Sequence, residues 1–366
     1  MSEVDEKDDA DEKVEDDEDD EVVPPVSYDV TSFGSDPEVE SLVNRLKRGD
    51  ILIPAFQRDY VWRQPEASKF IESLLLGLPV PQLFFATDPE TNKQLVIDGQ
   101  QRLKTLQFFY DGYFNPRPDN KVQRVFTLIK VQKPFEGVTY KTLAEHDRIR
   151  LDTSILHATT VKQNAPAGDD TSLYHIFERL NRGGRRLTDQ EMRLAIYHGT
   201  LINLTKDLNA YAPWRQVFGK PHSRLKDQEL ILRFFALYDR FDKYQRPLSE
   251  FINKYAGANR NPKSSKTRDL SRLFCDAVDA FSASLKGKPF RLTTSLNAAV
   301  YDSCMVGLAR RLAAEPKRKL DYTAICSAYD RLLKDKGYME AVSRSTADVL
   351  FVQRRIDKAT KAFSNC

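Results

Sequence analysis

The amino-acid sequence predicts an α+β protein, with a mixed α/β N-terminal half followed by an all-helical C-terminal half. Two observations lead to this prediction. Up to about residue 200, short apolar runs bounded by Gly, Pro and polar residues alternate with segments of helical periodicity. From about residue 227 onward, apolar residues recur almost throughout at helical spacing. The chain has 366 residues, which is enough for two or three domains with cores of their own.

The charge distribution separates the first residues from the rest of the chain. Residues 1–21 contain 14 Asp+Glu and 2 Lys, a net charge of −12, whereas residues 22–366 contain 54 Lys+Arg and 39 Asp+Glu, a net charge of +15. We therefore assign residues 1–25 to a disordered acidic tail, residues 26–200 to the mixed domain and residues 201–366 to the helical domain. The basic body is consistent with a polyanionic partner or with a solvated surface. The tail either mimics a polyanion or serves solubility.

Helix and strand patterns alternate along the mixed domain. The predicted helices cover residues 37–48, 65–77 and 98–110, and the predicted strands cover residues 51–53, 82–86, 94–97 and 124–131. Strands 82–86 and 94–97 flank a polar turn and should form a hairpin.

Further along the chain the periodicity becomes helical. Leu173, Ile176, Phe177 and Leu180 share one face of a predicted helix that "NRGGRR" ends. Thr188 and Glu191 have the spacing of a capping box, which predicts the start of the next helix. The clearest later helix carries six apolar residues on one face, namely Leu270, Leu273, Phe274, Ala277, Val278 and Phe281.

Several functional classes lack their sequence patterns. The four cysteines are widely spaced and the five histidines have no metal-binding spacing, so neither a disulfide framework nor a zinc site is predicted. No Walker A and no G-x-S-x-G pattern occurs. No stretch approaches the roughly 20 apolar residues of a membrane helix, and the acidic N-terminus resembles no targeting peptide. We expect a cytoplasmic protein that makes no contact with a membrane.

The stretch "QLVIDGQQRLKTL", residues 94–106, predicts a strand that turns directly into a helix. The first N–H groups of a helix have no partners within it and attract anions. Arg102 adds a guanidinium that can bind phosphate, Gln100 and Gln101 can bond a sugar, base or water, and Asp98 can hold a water or Mg²⁺. The competing interpretation is structural, with Asp98 as the N-cap, Gln101 as its capping-box partner and Arg102 as a surface charge.

Two further polar clusters are candidates for ligand contacts. "PAFQRDYVW" places Gln57 and Arg58 beside Tyr60 and Trp62, whose rings could stack on a base or pack on a neighbouring helix. "FERLNRGGRRLTDQEMR", residues 177–193, combines two glycines with five arginines. Its glycines either permit a close approach to a ligand or end a helix.

Four motifs in order resemble the N-terminal domain of GmrSD-type restriction enzymes, which SspE-type phosphorothioate-sensing defence proteins share. They are "IPAFQRDYVW", "GLPVPQLFF", "VIDGQQRLKTL" and "FERLNRGGRRLTDQEMR". The pentapeptide DGQQR is the most specific element, and the resemblance covers about residues 35–200. It implies a fold similar to ParB and sulfiredoxin, whose corresponding turns bind nucleotide phosphates. It also implies binding, and hydrolysis, of a nucleoside triphosphate such as ATP or GTP with Mg²⁺.

The resemblance also implies roles for individual residues. The residues expected to form the nucleotide site are Asp98, Gly99, Gln100, Gln101 and Arg102, and all of these except Gly99 are also expected to act in catalysis. Gln57 and Arg58 would face this site, and Asn181 and Arg182 would form its far wall. Arg185 and Arg186, in the basic loop, are expected to contact DNA.

The sequence departs from full-length GmrSD-type enzymes in its C-terminal half. Such enzymes usually carry a nuclease domain of the His-Asn-His type, but His222 is the only histidine after residue 198. We therefore expect a sensor or regulator of DNA cleavage that acts on modified or phage DNA. A separate nuclease partner would cut the DNA, or the ParB-like domain would cut it by itself, and the chain could form a homo-oligomer. The alternatives are a metal-dependent DNase that uses carboxylates such as Asp98, and a non-catalytic basic DNA-binding module with an acidic autoinhibitory tail.

Overall fold

The computed structural model describes eight parts of the chain: residues 12–16, 29–53, 60–88, 91–117, 122–165, 174–176, 188–285 and 287–366. These residues divide into two compact units. The sheet unit comprises the described residues within Ser27–Leu187 together with Leu194–Ile196. The helical unit comprises those within Met1–Val26, Thr188–Arg193 and Tyr197–Cys366.

The described strands, in chain order, are β1 Val14–Glu15, β2 Asp29–Ser35, β3 Ile51–Leu52, β4 Leu83–Thr87, β5 Gln94–Asp98, β6 Ala158–Ala165 and β7 Leu296–Asn297. The sheet unit contains the helices α1 Val39–Arg48, α2 Gln64–Leu75, α3 Gln100–Asp111 and α4 Glu145–Asp152 and a 3₁₀ turn at Tyr140–Thr142. Apart from the helical residues 174–176, the other helices within the described residues are Asp189–Ile196, Thr200–Asn209, Ala212–Phe218, Lys226–Arg240, Leu248–Ala258, Ser264–Ser284, Ala298–Ala314, Tyr322–Leu332, Lys336–Ser343 and Val349–Phe363, with a 3₁₀ turn at Phe241–Lys243. The predicted α+β class is confirmed.

The sheet unit contains a five-stranded mixed sheet with the strand order β2-β6-β4-β5-β3. The predicted hairpin is confirmed, because β4 and β5 pair antiparallel, with Phe85 opposite Val96. Strand β5 also pairs in parallel with β3, and β4 pairs in parallel with β6. Strands β2 and β6 were not predicted from the sequence, and they form the other side of the sheet.

The core of the sheet unit combines the apolar faces of its helices with buried residues of its strands and loops. On α1 the buried residues are Val39, Leu42 and Val43, at the helical spacing that predicted this helix. The helix ends at Gly49, whose φ of 75° lies in the left-handed region that glycine tolerates best. Helix α2 has a proline in its first turn, as predicted, where the missing N–H costs nothing.

The predicted strand at residues 124–131 is wrong. Phe126 and Leu128 are fully buried, which explains the strand-like pattern, but their N–H groups donate to the carbonyls of Gly112 and Val138 instead of to a neighbouring strand. The N–H of Ile129 donates to the Ser68 hydroxyl. The segment therefore buries alternate residues, as a strand does, but its hydrogen bonds go to loops and to side chains.

The helical unit is organised around the helix Ala298–Ala314, which is buried on almost every side. A helix that is apolar all round belongs in the interior of a domain. Gly307 permits close packing here, because a Cβ atom at this position would lie 2.7 Å from the carbonyl carbon of Ala359. The predicted helix through Leu270 and Phe281 is confirmed as Ser264–Ser284, and its six predicted apolar residues are all buried.

Two other sequence expectations have clear outcomes. Thr188 and Glu191 form the predicted capping box, since each side chain accepts a hydrogen bond from the other residue's backbone N–H. Residues 12–16 depart from the predicted disorder of the acidic tail, because β1 pairs in parallel with β7 inside the helical unit. Of the predicted helix around residues 173–180, only residues 174–176 are described, and they are helical.

Candidate functional site

The candidate site lies where strand β5 ends and helix α3 begins. Gly99 alone separates the two elements, with a φ of 103° that reverses the chain in one residue. A Cβ atom at this position would lie 2.3 Å from the Cδ2 atom of Leu83, a fully buried residue of β4. Glycine is thus required here both for its backbone conformation and for its lack of a side chain.

The N-cap residue of α3 is Gly99, which has no side chain that could accept a hydrogen bond from the first helical N–H groups. The structural interpretation of the sequence, with Asp98 as the N-cap and Gln101 as its partner, is therefore wrong. The positive end of the helix dipole and the N–H groups of the first turn lie directly after the end of β5, and the N-cap position itself carries no carboxylate.

Arg102 lies in the first turn of α3, and its guanidinium folds back onto the β5–α3 turn. Its Nη2 atom donates to Asp98 Oδ2 at 2.5 Å, and its Nη1 atom donates to the carbonyl of Pro81 at 2.8 Å. The Arg102 side chain is only 9% exposed, whereas that of Asp98 is 50% exposed. Arg102 is thus not the surface charge of the structural interpretation, and its bonds tie the end of β5 to the segment before β4.

Gln101 joins the DGQQR turn to the end of the "PAFQRDYVW" motif. Its Oε1 atom accepts hydrogen bonds from the backbone N–H groups of Val61 and Trp62, at 3.1 and 3.3 Å. The sequence places these residues about 40 positions apart, and no local pattern predicts the contact. The two motifs are therefore neighbours in space.

The aromatic residues of that motif pack into the core. The Tyr60 hydroxyl lies 2.6 Å from the Thr105 hydroxyl, and its ring meets Phe108 and Phe114 edge to face. Burial raises the pKa of Tyr60 to about 12, against the opposing effect of the Thr105 hydrogen bond. Trp62 packs edge to face on Phe70. Of the two roles left open by the sequence, the structure supports packing over base stacking.

The remaining predicted contacts lie outside the described residues. These are Gln57, Arg58, Asn181, Arg182, Arg185 and Arg186. The sequence reasoning missed Pro81, Leu83 and Thr105, which shape the turn through a carbonyl, a methyl group and a hydroxyl. The only sequence clue to them was the position of Pro81 and Leu83 within the motif "GLPVPQLFF".

The described residues at the turn fit Mg²⁺ in one mode of binding, in which a single carboxylate acts together with the phosphates of a nucleotide. Asp98 is the carboxylate of the turn, and the described part of the chain contains no group of three or more His, Cys, Asp or Glu side chains suited to a metal. Mg²⁺ is commonly bound through one or two carboxylates together with the phosphates of a nucleotide. Asp98 suits that mode of binding and does not by itself make a preformed metal site.

Comparison with known proteins gives a match over this region. Residues 39–198 match the family model described as the GmrSD restriction endonuclease, N-terminal domain. The matched range starts at α1 and includes the whole β5–α3 turn. The resemblance inferred from the four motifs is confirmed, and it indicates a role related to restriction or defence. No match was found among curated proteins. Within the described residues, no helix is both long enough and apolar enough to span a membrane.

Proposed function

We propose that this protein binds and hydrolyses a nucleoside triphosphate at the β5–α3 turn, as the sensor or regulator of a DNA restriction or anti-phage system. The observation that supports this best is the start of α3 directly behind Gly99, an N-cap residue without a side chain in a tight strand-to-helix turn. A tight glycine turn from a strand into a helix is a common way to bind phosphate, because backbone N–H groups and the helix dipole converge there. The family match supports the restriction setting.

In this proposal the backbone of the turn binds the phosphates, and Arg102 has an indirect role. Its two Nη atoms already donate to Asp98 and Pro81, so it holds the turn in shape and contributes positive charge near the anion. Gln100 occupies the first helical position, and in this proposal its side-chain amide binds a phosphate or a sugar hydroxyl. This assignment differs from direct phosphate binding by the Arg102 guanidinium.

Asp98 is assigned to the hydrolytic step. Its carboxylate is half exposed at the end of β5, and one of its oxygens is held by Arg102. From there it can orient the attacking water at the terminal phosphate. Mg²⁺ entering with the nucleotide would supply charge neutralisation of the phosphates.

Gln101 provides the path by which nucleotide binding would be communicated. A phosphate at the start of α3 would lie beside the residue that holds the N–H groups of Val61 and Trp62. A shift of α3 on nucleotide binding would therefore be passed to Val61 and Trp62 through this side chain. DNA, including modified or phage DNA, is the proposed ligand that this change reports, and a separate nuclease is the proposed partner.

Phosphate release from ATP, GTP, CTP and UTP by the purified protein tests this function, measured with Mg²⁺ and with or without DNA. Asp98→Asn should lower turnover by about 100-fold or more while nucleotide binding persists. Asp111→Asn is the matched control, because Asp111 lies at the other end of α3, paired with Lys47. The proposal fails if the wild type binds none of the four nucleotides, or if it nicks DNA without any nucleotide.

A further inference from the structure

A short piece of the acidic N-terminal segment lies in a cationic groove of the helical unit. Residues 12–16 run in an extended conformation, β1 pairs in parallel with β7, and the N–H of Leu296 donates to the carbonyl of Lys13. Side chains alternate along a strand, so Glu12 and Asp16 point to the same face. Each of them meets a separate pair of cations.

Glu12 occupies the first of these two positions. Its carboxylate lies 2.8 Å from both the Lys288 Nζ atom and the Arg291 Nη2 atom. Gly219 leaves the space for it, since a Cβ atom there would lie 2.7 Å from Glu12 Oε2. Burial opposes ionisation, but the two cations outweigh this effect and hold the pKa of Glu12 below its ordinary value.

Asp16 occupies the second position. Its Oδ2 atom accepts hydrogen bonds from Arg233 at 2.5 Å and from Lys226 at 3.0 Å. Burial raises the pKa of Asp16, yet Arg233 and Lys226 together keep the pKa below its ordinary value. Both positions therefore select a fully charged anion.

The cations are held by the helical unit itself. Arg291 donates to the carbonyls of Val217, Phe218 and Pro289 as well as to Glu12. Its guanidinium would therefore keep its place without the acidic segment.

The same is true at the second position. Arg233 also bonds the buried Asp302 at 2.6 Å, and Lys226 also bonds Glu229 at 2.7 Å. Without Asp16, two cations with their orientation already fixed would face an empty position. Preorganised cations of this kind favour binding of an anion, because little side-chain entropy remains to be lost.

We propose that this groove, formed by Lys226, Arg233, Lys288 and Arg291, binds the phosphates of a nucleic acid strand and that residues 12–16 occupy it as a competitor. Glu12 and Asp16 are four positions apart on an extended chain, which places the two anion positions about 13 Å apart along a line. An extended polyanion matches that arrangement, whereas a single small anion would fill only half of it. The net charge of +15 outside residues 1–21 favours the same class of ligand.

The groove is separate from the proposed nucleotide site, and the inference does not depend on nucleotide hydrolysis. A full chain that binds no nucleotide could still bind DNA here. Conversely, an active NTPase whose DNA affinity ignores the acidic segment would overturn this inference and leave the proposed function standing.

The test compares the full-length wild type with charge-neutral variants of the segment, using labelled single-stranded and duplex DNA. Glu12→Gln combined with Asp16→Asn should tighten binding by about tenfold. The factor by which DNA affinity falls between 50 and 200 mM salt should also be about tenfold larger for this variant than for the wild type, because two phosphate contacts are added. Glu15→Gln is the matched control, because it removes a charge from the same strand, and among the described residues the Glu15 carboxylate accepts a hydrogen bond from the Thr293 hydroxyl and pairs with no cation.

A second substitution locates the DNA within the groove. Lys288→Gln should weaken DNA binding more in the neutralised segment than in the wild type, because only there is the cation free for phosphate. If the double variant does not fold, Glu12→Gln alone serves, since its partner Lys288 is half exposed. Equal DNA affinity for Glu12→Gln, Glu15→Gln and the wild type would overturn the proposal and make the segment a permanent part of the helical fold.

Discussion

Two arginines illustrate how differently the two units use buried charge. In the sheet unit, Arg102 bonds Asp98, four residues earlier in the chain. In the helical unit, Arg233 bonds Asp16, 217 residues earlier, and also Asp302. The first pair is local and forms with the turn itself. The second pair joins the helix Lys226–Arg240 to the segment 12–16. If that segment leaves, Arg233 still bonds Asp302.

This difference decides what each region can bind. The local pair uses the donors of Arg102 to shape the turn, so an anion there depends on the backbone N–H groups of α3. The distant pair uses the donors of Arg233 and Lys226 on an exchangeable carboxylate, so an anion there depends on cationic side chains. A backbone site suits the compact phosphates of one nucleotide, and a cationic groove suits an extended polyanion.

The largest expected effect concerns the turn. Gly99→Ala should lower the free energy of unfolding by about 3 kcal/mol, from left-handed backbone strain of about 1–2 kcal/mol and a clash in the core. Gly112→Ala is the control, because Gly112 has a φ of 85° but no atom within 4 Å of its added Cβ. Urea unfolding of both variants separates strain from clash. Equal losses would show that the contact with Leu83 does not constrain the turn.

Arg102→Ala should have the next largest effect, a loss of about 1–3 kcal/mol of stability. The buried side chain bonds two partners, but half exposure of Asp98 allows water to replace one of them. Arg48→Ala is the control, because its ion pair with Asp50 is largely exposed and should contribute under about 1 kcal/mol. Thermal unfolding measures both. If the Arg102→Ala variant is as stable as the wild type but binds no nucleotide, the result would instead support direct phosphate binding by the Arg102 guanidinium.

The smallest effect concerns the pH dependence of the acidic segment. The pKa values of Asp16 and Glu12 are lowered in the fold from ordinary values of 3.8 and 4.5. A lowered carboxyl pKa stabilises the fold fully above the ordinary value, and this stabilisation is lost as pH falls through the lowered value. The Tm difference between the wild type and the Glu12→Gln, Asp16→Asn variant should therefore be constant near pH 7. It should disappear below about pH 4. A difference that persists in acid would contradict the ion pairing.

Much of the sheet unit was predictable from local patterns. Helices α1, α2 and α3 follow from apolar spacing and from Gly49, Pro65 and Gly99, and the β4–β5 hairpin follows from two apolar runs around a polar turn. Strands β2 and β6 were missed, since polar residues, mostly Thr and Ser, interrupt any apolar run in them. The false strand at residues 124–131 has the burial of a strand but loop and side-chain partners.

The position of the candidate site was predictable from the sequence, but the hydrogen-bond partners of its side chains were not. The strand, glycine and helix of "VIDGQQR" are local, and sequence placed them correctly. The partners of Gln101 and Arg102 include Trp62 and Pro81, which only tertiary folding brings near. The docking of Asp16 was unpredictable for the same reason, because composition favours disorder and the cations that overcome it lie more than 200 residues away.

The most direct test of the central claim is the nucleotide affinity of Gln100→Glu. A carboxylate at the first helical position is favoured by the helix dipole, so the variant should be as stable as the wild type or more stable. The same carboxylate would repel phosphate, and nucleotide affinity should fall by at least about tenfold, or 1.4 kcal/mol. Gln107→Glu, two turns further along α3, should change affinity by less than about twofold. Unchanged nucleotide affinity in Gln100→Glu would contradict phosphate binding at the start of α3.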